Sequence, residues 1–302
     1  MLVARMTKAP APPRFLMCAP DHYEVSYAIN PWMDPANWSR HRRALAKTAR
    51  QEWVALRRTL IELGATVDLV PPVAGQPDLV FTANAAVVLD GKALLACFRH
   101  PERKGEEPHF AAAFHALQAR GLIASVTALP DGLVLEGAGD CVWDQSRNLF
   151  WMGYGRRSDL AARGALEDAF AAEVVALELA DPRFYHVDTA LSPLPGGELV
   201  YYPGAFTAAG RAAIAARTSP AQRLAIGAED AGLLAANAVA VGNALVMPGC
   251  TDALRDALEA RGYRVIAVPL RAFQYGGGAA FCLTLRLDRR SAARSAEVAA
   301  VA

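Results

Sequence analysis

Near the C-terminus, Gly276-Gly277-Gly278 is followed four residues later by Cys282, in the segment GGGAAFCLTLRL. Glycines let a backbone approach a ligand closely and adopt positive φ, so a thiol beside such a loop is within reach of a small substrate. A lone cysteine in an apolar run is commonly an inert core residue; what points to chemistry is the company of other reactive types. His186 lies in FYHVDTALSPLPGG with Asp188 two residues on. In extended chain, residues i and i+2 face the same side, so an imidazole and a carboxylate share one face. Glu136 stands in LPDGLVLEGAGDCVW between apolar residues and glycines, where an unpaired carboxylate is costly to bury. It can orient and charge His186; Asp140, in the same segment, is either the functional carboxylate instead or a turn residue. Thiol, imidazole and carboxylate are the parts of nucleophilic catalysis with an oriented general acid/base.

Other polar residues sit where they could bind what the thiol attacks. Phe81 and Asn84 mark the entry to a strand in PDLVFTANAAVV, although asparagine there is also a common turn former. Arg99 in FRHPERKGEEP and Arg157 in GYGRRSD follow the second strands of successive repeats. Two such rim arginines match a carboxylate in bidentate geometry, unless they are simply solvated. Asn30, with His22 and Trp32 in DHYEVSYAINPWM, forms either a lid over the site or a packed N-terminal loop.

The elements that must position these side chains repeat. Each copy reads strand, tight turn, strand, amphipathic helix, strand. The first runs from AAVVL through Asp90-Gly91-Lys92, ALLACF and a helix over HFAAAFHALQARG to LIASVTAL. The second contains DCVW, LFWMGYG, a helix over 159–171 and EVVALEL. The third contains TALSPL, LVYYP, AAGRAAIAA and RLAIG; the fourth NAVAV, ALVMPG, DALRDALEARG and YRVIAVPL. Asp-Gly and Gly-Asn between alternating apolar residues are hairpin signals, and periods of roughly 50 residues suggest propellers or arrays. A fifth copy is split: GGGAAFCLTLRL supplies a C-terminal strand, and RFLMCAP, a helix over 42–63 and TVDLVPPV supply the rest. Such a unit would close a ring and remove exposed sheet edges. The reading is a single domain over 14–289, a flexible segment over 1–13 and a disordered tail over 290–302.

Composition narrows the classes. The 302 residues carry 31 Lys and Arg against 30 Asp and Glu, with no block of like charge, which argues against nucleic acid as a partner. No run approaches the length of a membrane span, and the N-terminus lacks a signal-peptide core. The five cysteines are scattered, without zinc spacing. A cytoplasmic protein without a metal, nucleotide or flavin is expected.

Taken in order, RFLMCAPDHYEVSYAINPWM, PDLVFTANA, FRHPERKGEEPHF, LEGAGD, GYGRRSD, YHVDT, SPLPGGELVYYP and GGGAAFCLTLRL resemble the guanidine-modifying (amidinotransferase/dimethylargininase) superfamily, closest to its arginine dihydrolase branch. The resemblance spans residues 14–287 and implies an α/β fold: a closed, five-fold pseudosymmetric propeller of ββαβ units, the pentein type. It implies Cys282 as nucleophile, His186 as general acid/base and Glu136 as its partner. It also implies that Asp188 holds a guanidinium and that Arg99 and Arg157 hold the substrate carboxylate, with Asn84, Phe81, Asn30 and Asp140 completing the pocket. Arginine deiminases typically carry Asp where Asn84 stands, so the asparagine favours hydrolysis of free L-arginine to ornithine, CO2 and two NH3. Dimethylarginine dimethylaminohydrolase, citrulline hydrolase and arginine deiminase are the related alternatives. An amidinotransferase, a non-catalytic arginine-binding module or a redox-sensing thiol protein are the others. No cofactor is implied, and homo-oligomers are common in the superfamily.

Overall fold

The computed structural model describes residues 12–292. The first sheet is built from both ends of the chain. Strand β1 (Arg14–Cys18) runs parallel to β2 (Thr66–Val70), with Arg14 opposite Thr66 and Cys18 opposite Val70. A parallel pair needs a long crossover, and helix α1 (Pro35–Glu62) provides it. The other neighbour of β1 is the last strand among the described residues, Leu285–Arg286, antiparallel with Phe15 opposite Arg286.

Four further units follow the same plan. They are β3 (Ala86–Leu89), β4 (Lys92–Leu95), α2 (Glu107–Ala119) and β5 (Ser125–Thr127); then β6 (Cys141–Asp144), β7 (Leu149–Tyr154), α3 (Ala162–Phe170) and β8 (Glu173–Glu178). The third comprises β9 (Leu191–Pro193), β10 (Leu199–Tyr201), α4 (Ala208–Arg217) and β11 (Arg223–Ala225). The fourth comprises β12 (Val239–Val241), β13 (Ala244–Met247), α5 (Asp252–Glu259) and β14 (Arg264–Ala267). The C-terminal strand is β15. In every unit the first two strands pair antiparallel and the second and third pair parallel across a helix. With β15 as first strand, β1 as second and β2 as third, the split unit obeys the same rule. The described residues therefore form an α/β fold of five three-stranded sheets.

Local chemistry explains the joints. Asp90 and Gly91 both have positive φ, 54° and 76°, the backbone that a two-residue hairpin needs to match strand twist. Helix α1 begins at Pro35 rather than at Arg42, because the Asp34 side chain accepts the Asn37 N–H at 2.9 Å and a proline at the first helical position lacks only a donor that would be unpaired anyway. The helix is kinked at His41 and buries Trp38, Trp53, Leu56 and Leu60.

Two expectations are corrected. GGGAAFCLTLRL is not a continuous strand: only Leu285 and Arg286 pair, and the residues before them fold into turns in which Leu283 N–H donates to the Ala279 carbonyl and Thr284 N–H to that of Phe281. Alternation alone could not separate a strand from a compact turn whose apolar side chains are nearly all buried, Phe281 only partly. The start of the C-terminal tail is also tied down, since Ser291 N–H donates to Asp90 Oδ1 at 2.8 Å and Ala292 N–H to Asn148 Oδ1 at 2.6 Å. The rest of the expected tail, 293–302, and residues 1–11 lie outside the described residues. No helix among the described residues is long and apolar enough to cross a membrane.

Candidate active site

Each of the five units carries a polar residue just ahead of its first strand. Asn84 precedes β3, Glu136 and Asp140 precede β6, His186 and Asp188 precede β9, Asn237 precedes β12 and Cys282 precedes β15. The hydrogen bonds between these residues show that the same end of every unit meets at one place.

Glu136 is its hub. The side chain is fully buried; Oε2 lies 2.7 Å from His186 Nε2 and 3.0 Å from Arg157 Nη1, and Oε1 accepts the Arg99 backbone N–H at 3.1 Å. Burial alone would raise this carboxyl, but the Arg157 guanidinium and the His186 hydrogen bond outweigh it and hold Glu136 well below the usual carboxylate range. An ionised Glu136 fixes the His186 tautomer: Nε2 carries the proton and donates it to the carboxylate, so Nδ1 is the free acceptor. Burial pushes His186 down to about 4 in spite of Glu136, which leaves the imidazole neutral near pH 7.

His186 Nδ1 faces Asn84 Nδ2 at 3.5 Å, and the same amide nitrogen donates to the Glu136 carbonyl at 3.3 Å. The amide cannot be reversed, because Asn84 Oδ1 accepts from Arg103 Nη1 at 2.8 Å and guanidinium has only donors. Arg103 is held in turn by Glu106 through two bonds of 2.8 and 2.7 Å. Close approach here depends on Gly139, where a Cβ would lie 2.2 Å from Asn84 Nδ2 and 3.1 Å from His186 Nδ1.

Cys282 is buried. Its Sγ donates to Asp188 Oδ2 at 3.1 Å and accepts from Asn237 Nδ2 at 3.0 Å. Burial, reinforced by the Asp188 charge, pushes the thiol well above its usual range, and burial raises Asp188 to about 7. Asp188 Oδ1 is buried with no hydrogen-bond partner among the described residues. A carboxylate oxygen left bare beside a thiol is the kind of orphan that a cationic ligand satisfies.

The other expected residues fall into place unevenly. Phe81 packs edge-on against Tyr23 and close to Gly278 and Gly276, so it braces the glycine loop. Asn30 Nδ2 donates to the Gly276 carbonyl at 3.1 Å, and Trp32 Nε1 to that of Arg183 at 2.6 Å; the N-terminal loop is thereby strapped over the loops carrying Cys282 and His186, whereas His22 is exposed. Both Asp140 oxygens are engaged within the protein: one accepts the Val187 N–H at 3.1 Å and the other the Ser158 hydroxyl at 2.6 Å. Asp140 braces the backbone beside His186. The expected pair of carboxylate-clamping arginines is also rearranged. Arg157 is buried with Nη1 on Glu136, Nη2 on the Ile29 carbonyl at 3.0 Å and its guanidinium 4.6 Å from the Tyr185 ring centre. Arg99 is exposed and pairs with Asp159. Sequence spacing located both arginines, but not the buried carboxylate that claims one of them.

Asn237 and Arg103 are the residues that the spacing argument passed over. For Asn237 a signal was present: Ala236-Asn237-Ala238-Val239-Ala240-Val241 repeats Ala83-Asn84-Ala85-Ala86-Val87-Val88 almost letter for letter, one at each strand entry. Arg103, in a charged surface-like stretch, gave no such signal.

Residues 27–289 match the family described as N,N dimethylarginine dimethylhydrolase, eukaryotic, and the chain belongs to it. Among its relatives, the bifunctional arginine dihydrolase/ornithine cyclodeaminase AgrE of Nostoc sp. is 44% identical over 274 residues, covering 91% of this chain and 38% of that protein. The N(G),N(G)-dimethylarginine dimethylaminohydrolase of Mycobacterium tuberculosis is 35% identical over 283 residues, covering 93% and 87%. Among solved structures, the N-terminal domain of ArgZ, a cyanobacterial arginine dihydrolase from the ornithine-ammonia cycle, in a cysteine-to-serine form bound to substrate, superposes with a TM-score of 0.85 at 41% identity. That match covers 92% of this chain and 99% of that one. The chain thus spans about two fifths of the length of the bifunctional relatives it matches.

Proposed function

We propose that this protein is an arginine dihydrolase, hydrolysing free L-arginine to ornithine, CO2 and two NH3 through S-linked intermediates on Cys282. The observation that carries the reading is the bare Asp188 Oδ1, buried beside a thiol whose S–H donates to Asp188 Oδ2. A guanidinium bound there pairs with the carboxylate and places positive charge against the sulfur. Its field favours the thiolate that burial otherwise suppresses, so the nucleophile is armed by its substrate.

In the first cycle Cys282 Sγ bonds to the guanidinium carbon. The thiol proton passes through His186 Nδ1 to the departing amine, the C–N bond breaks and NH3 leaves an S-linked amidine. Water then gives His186 Nδ1 a proton and adds to that carbon; the C–S bond breaks, the thiolate regains a proton and citrulline results. In the second cycle the sulfur attacks the ureido carbon and NH3 leaves. Hydrolysis frees an N-carboxylate, which loses CO2 to give ornithine. Glu136 keeps its charge throughout and balances the imidazolium that forms each time His186 accepts a proton. Asn84 suits the second cycle, because an amide N–H can meet the ureido oxygen that a carboxylate would repel. The substrate carboxylate is assigned to the rim, where Arg99 can exchange Asp159 for it.

In the same reading the five sheets close into a ring. Two observations support it: β15 and β1 join the chain ends in one sheet, and residues of the first strands β3, β6, β9, β12 and β15 line adjoining depressions around Phe281. The five cysteines are all free, as suits a cytoplasmic enzyme, and a homo-oligomer of single-domain chains is the assembly proposed.

Product analysis with L-arginine tests the proposal. Ornithine with two NH3 per turnover, abolished in Cys282→Ala, is expected; citrulline as end product means a deiminase. The match to the dimethylarginine hydrolase family favours one second reading, for which asymmetric dimethylarginine would release dimethylamine.

A further inference from the structure

Within that reading, the hydrogen bonds around Cys282 contain a donor with no role yet. Asn237 is fully buried and all of its side-chain capacity is used. Oδ1 accepts three backbone N–H groups of the nucleophile loop: Ala279 at 3.1 Å, Phe281 at 3.0 Å and Cys282 at 3.2 Å. Backbone N–H groups only donate, so three of them on one atom identify that atom as oxygen and settle the orientation of the amide. The NH2 end then has two hydrogens for two acceptors, the Asp188 carbonyl at 3.1 Å and Cys282 Sγ at 3.0 Å.

We propose that Asn237 is a catalytic residue, the N–H donor that stabilises the Cys282 thiolate each time it forms or departs, while its oxygen fixes the loop on which the sulfur rides. The sulfur becomes anionic at several points of the cycle: before each attack, and whenever the C–S bond breaks in hydrolysis. A neutral S–H gains little from an amide donor and a thiolate gains much more, because a hydrogen bond to a charged partner in a dry site is roughly twice as strong as a neutral one. The donor is pre-set by four other bonds, so it need not reorganise when charge develops. Asp188 cannot supply this help, since its carboxylate opposes a negative sulfur, and neutral His186 has its one N–H on Nε2, given to Glu136. The fourth unit thus contributes its strand-entry residue to the chemistry as the other four do.

Asn237→Asp still accepts the three loop N–H groups but replaces the amide donor with a charge that opposes a negative sulfur, and Asn237→Ser, measured beside it, removes the donor without adding charge. Alkylation of Cys282 by iodoacetamide is followed across pH, resolved by peptide from the other four cysteines, alongside thermal unfolding. Expected is a folded variant in which alkylation of Cys282 needs higher pH, is slowed about tenfold or more at pH 8, and is accompanied by a kcat reduced about 10²-fold, as for loss of one donor to a developing anion. If N237D is folded and its Cys282 alkylates along the wild-type pH profile, Asn237 is a loop brace only and the proposal is overturned. Should N237D not fold, Asn237→Ser carries the comparison, because its hydroxyl can meet a backbone N–H but stops short of the sulfur. Alkylation requires no knowledge of the substrate. An altered thiol profile in a protein that ignores arginine would sink the dihydrolase reading and leave this one standing.

Discussion

Glu136 Oε2 sits 2.7 Å from His186 Nε2 and, on the same oxygen, 3.0 Å from Arg157 Nη1. One atom therefore serves two cationic or protonated partners, and the pair is not a simple dyad. Arg157 holds Glu136 ionised inside the protein, and the ionised carboxylate dictates which ring nitrogen of His186 is free. Glu136→Gln keeps the shape but removes the charge that stabilises an imidazolium. The expected outcome is a kcat lower by about 10²–10⁴-fold with a smaller change in KM, read from steady-state kinetics.

Arg157→Leu acts on stability first. Without the guanidinium, Glu136 is a buried charge with only His186 and a backbone N–H to compensate it, a loss of about 3–5 kcal/mol. Thermal unfolding should show it clearly. If Arg157 instead served mainly to hold the substrate carboxylate, KM would rise while the melting temperature stayed near wild type. Arg99→Ala, at the exposed rim, should show that second pattern.

Asp188 gives the pH signature. Its carboxyl is raised from 3.8 to about 7 by burial, so the folded state keeps a proton that the unfolded chain loses between these values. The stability this confers is full below about pH 4 and is lost as pH rises through 7. Asp188→Asn has no such loss. Its melting temperature should gain on wild type from pH 5 to pH 8, by about 5 °C. Added arginine should raise the wild-type value at pH 8 and leave the variant unmoved. An unchanged difference between variant and wild type across pH 5 to 8 would mean that Asp188 is stably ionised in the free protein.

Much of this was legible in the chain. The repeat was, because hairpin turns such as Asp90-Gly91 and the alternation around them are local signals, and the split unit followed from counting strands at both termini. Cys282, His186 and Glu136 stood out as reactive types in apolar, glycine-rich settings. What could not be read were pairings between units. Nothing in the sequence says that Arg157 is turned inward to Glu136, or that Asp140 spends both oxygens on Ser158 and Val187. Those choices depend on which buried groups lack partners after folding, a property of the packed interior rather than of spacing.

Asn84→Asp tests the proposed second cycle, and the structure sharpens how. Asn84 donates to the Glu136 carbonyl and faces His186 Nδ1. A carboxylate there would repel the carbonyl oxygen, draw a proton onto Nδ1 and meet the ureido oxygen of citrulline with like charge. Product ratios should move from ornithine toward citrulline, and the acid limb of the pH–rate profile should move up. An unchanged ratio at every pH would remove Asn84 from the account of why hydrolysis continues past citrulline.

Gly139→Ala isolates the geometry from the charges. The added Cβ would lie 2.2 Å from Asn84 Nδ2 and 3.1 Å from His186 Nδ1, while the backbone at Gly139 has no positive φ, so the substitution is opposed by contact and not by conformation. Asn84 cannot swing away freely, since Arg103 holds its oxygen and two bonds to Glu106 hold Arg103. The strain must be shared between the amide and the imidazole. Overpacking of this kind destabilises by about 1–3 kcal/mol, which thermal unfolding would register. If the 3.5 Å approach of Asn84 to His186 matters to the proton transfers, kcat should fall by about tenfold or more. The double variant Gly139→Ala with Asn84→Ala, which removes the clashing amide, should then recover the stability but not the rate. Recovery of both would mean that Asn84 fills space beside His186 and does nothing for the reaction.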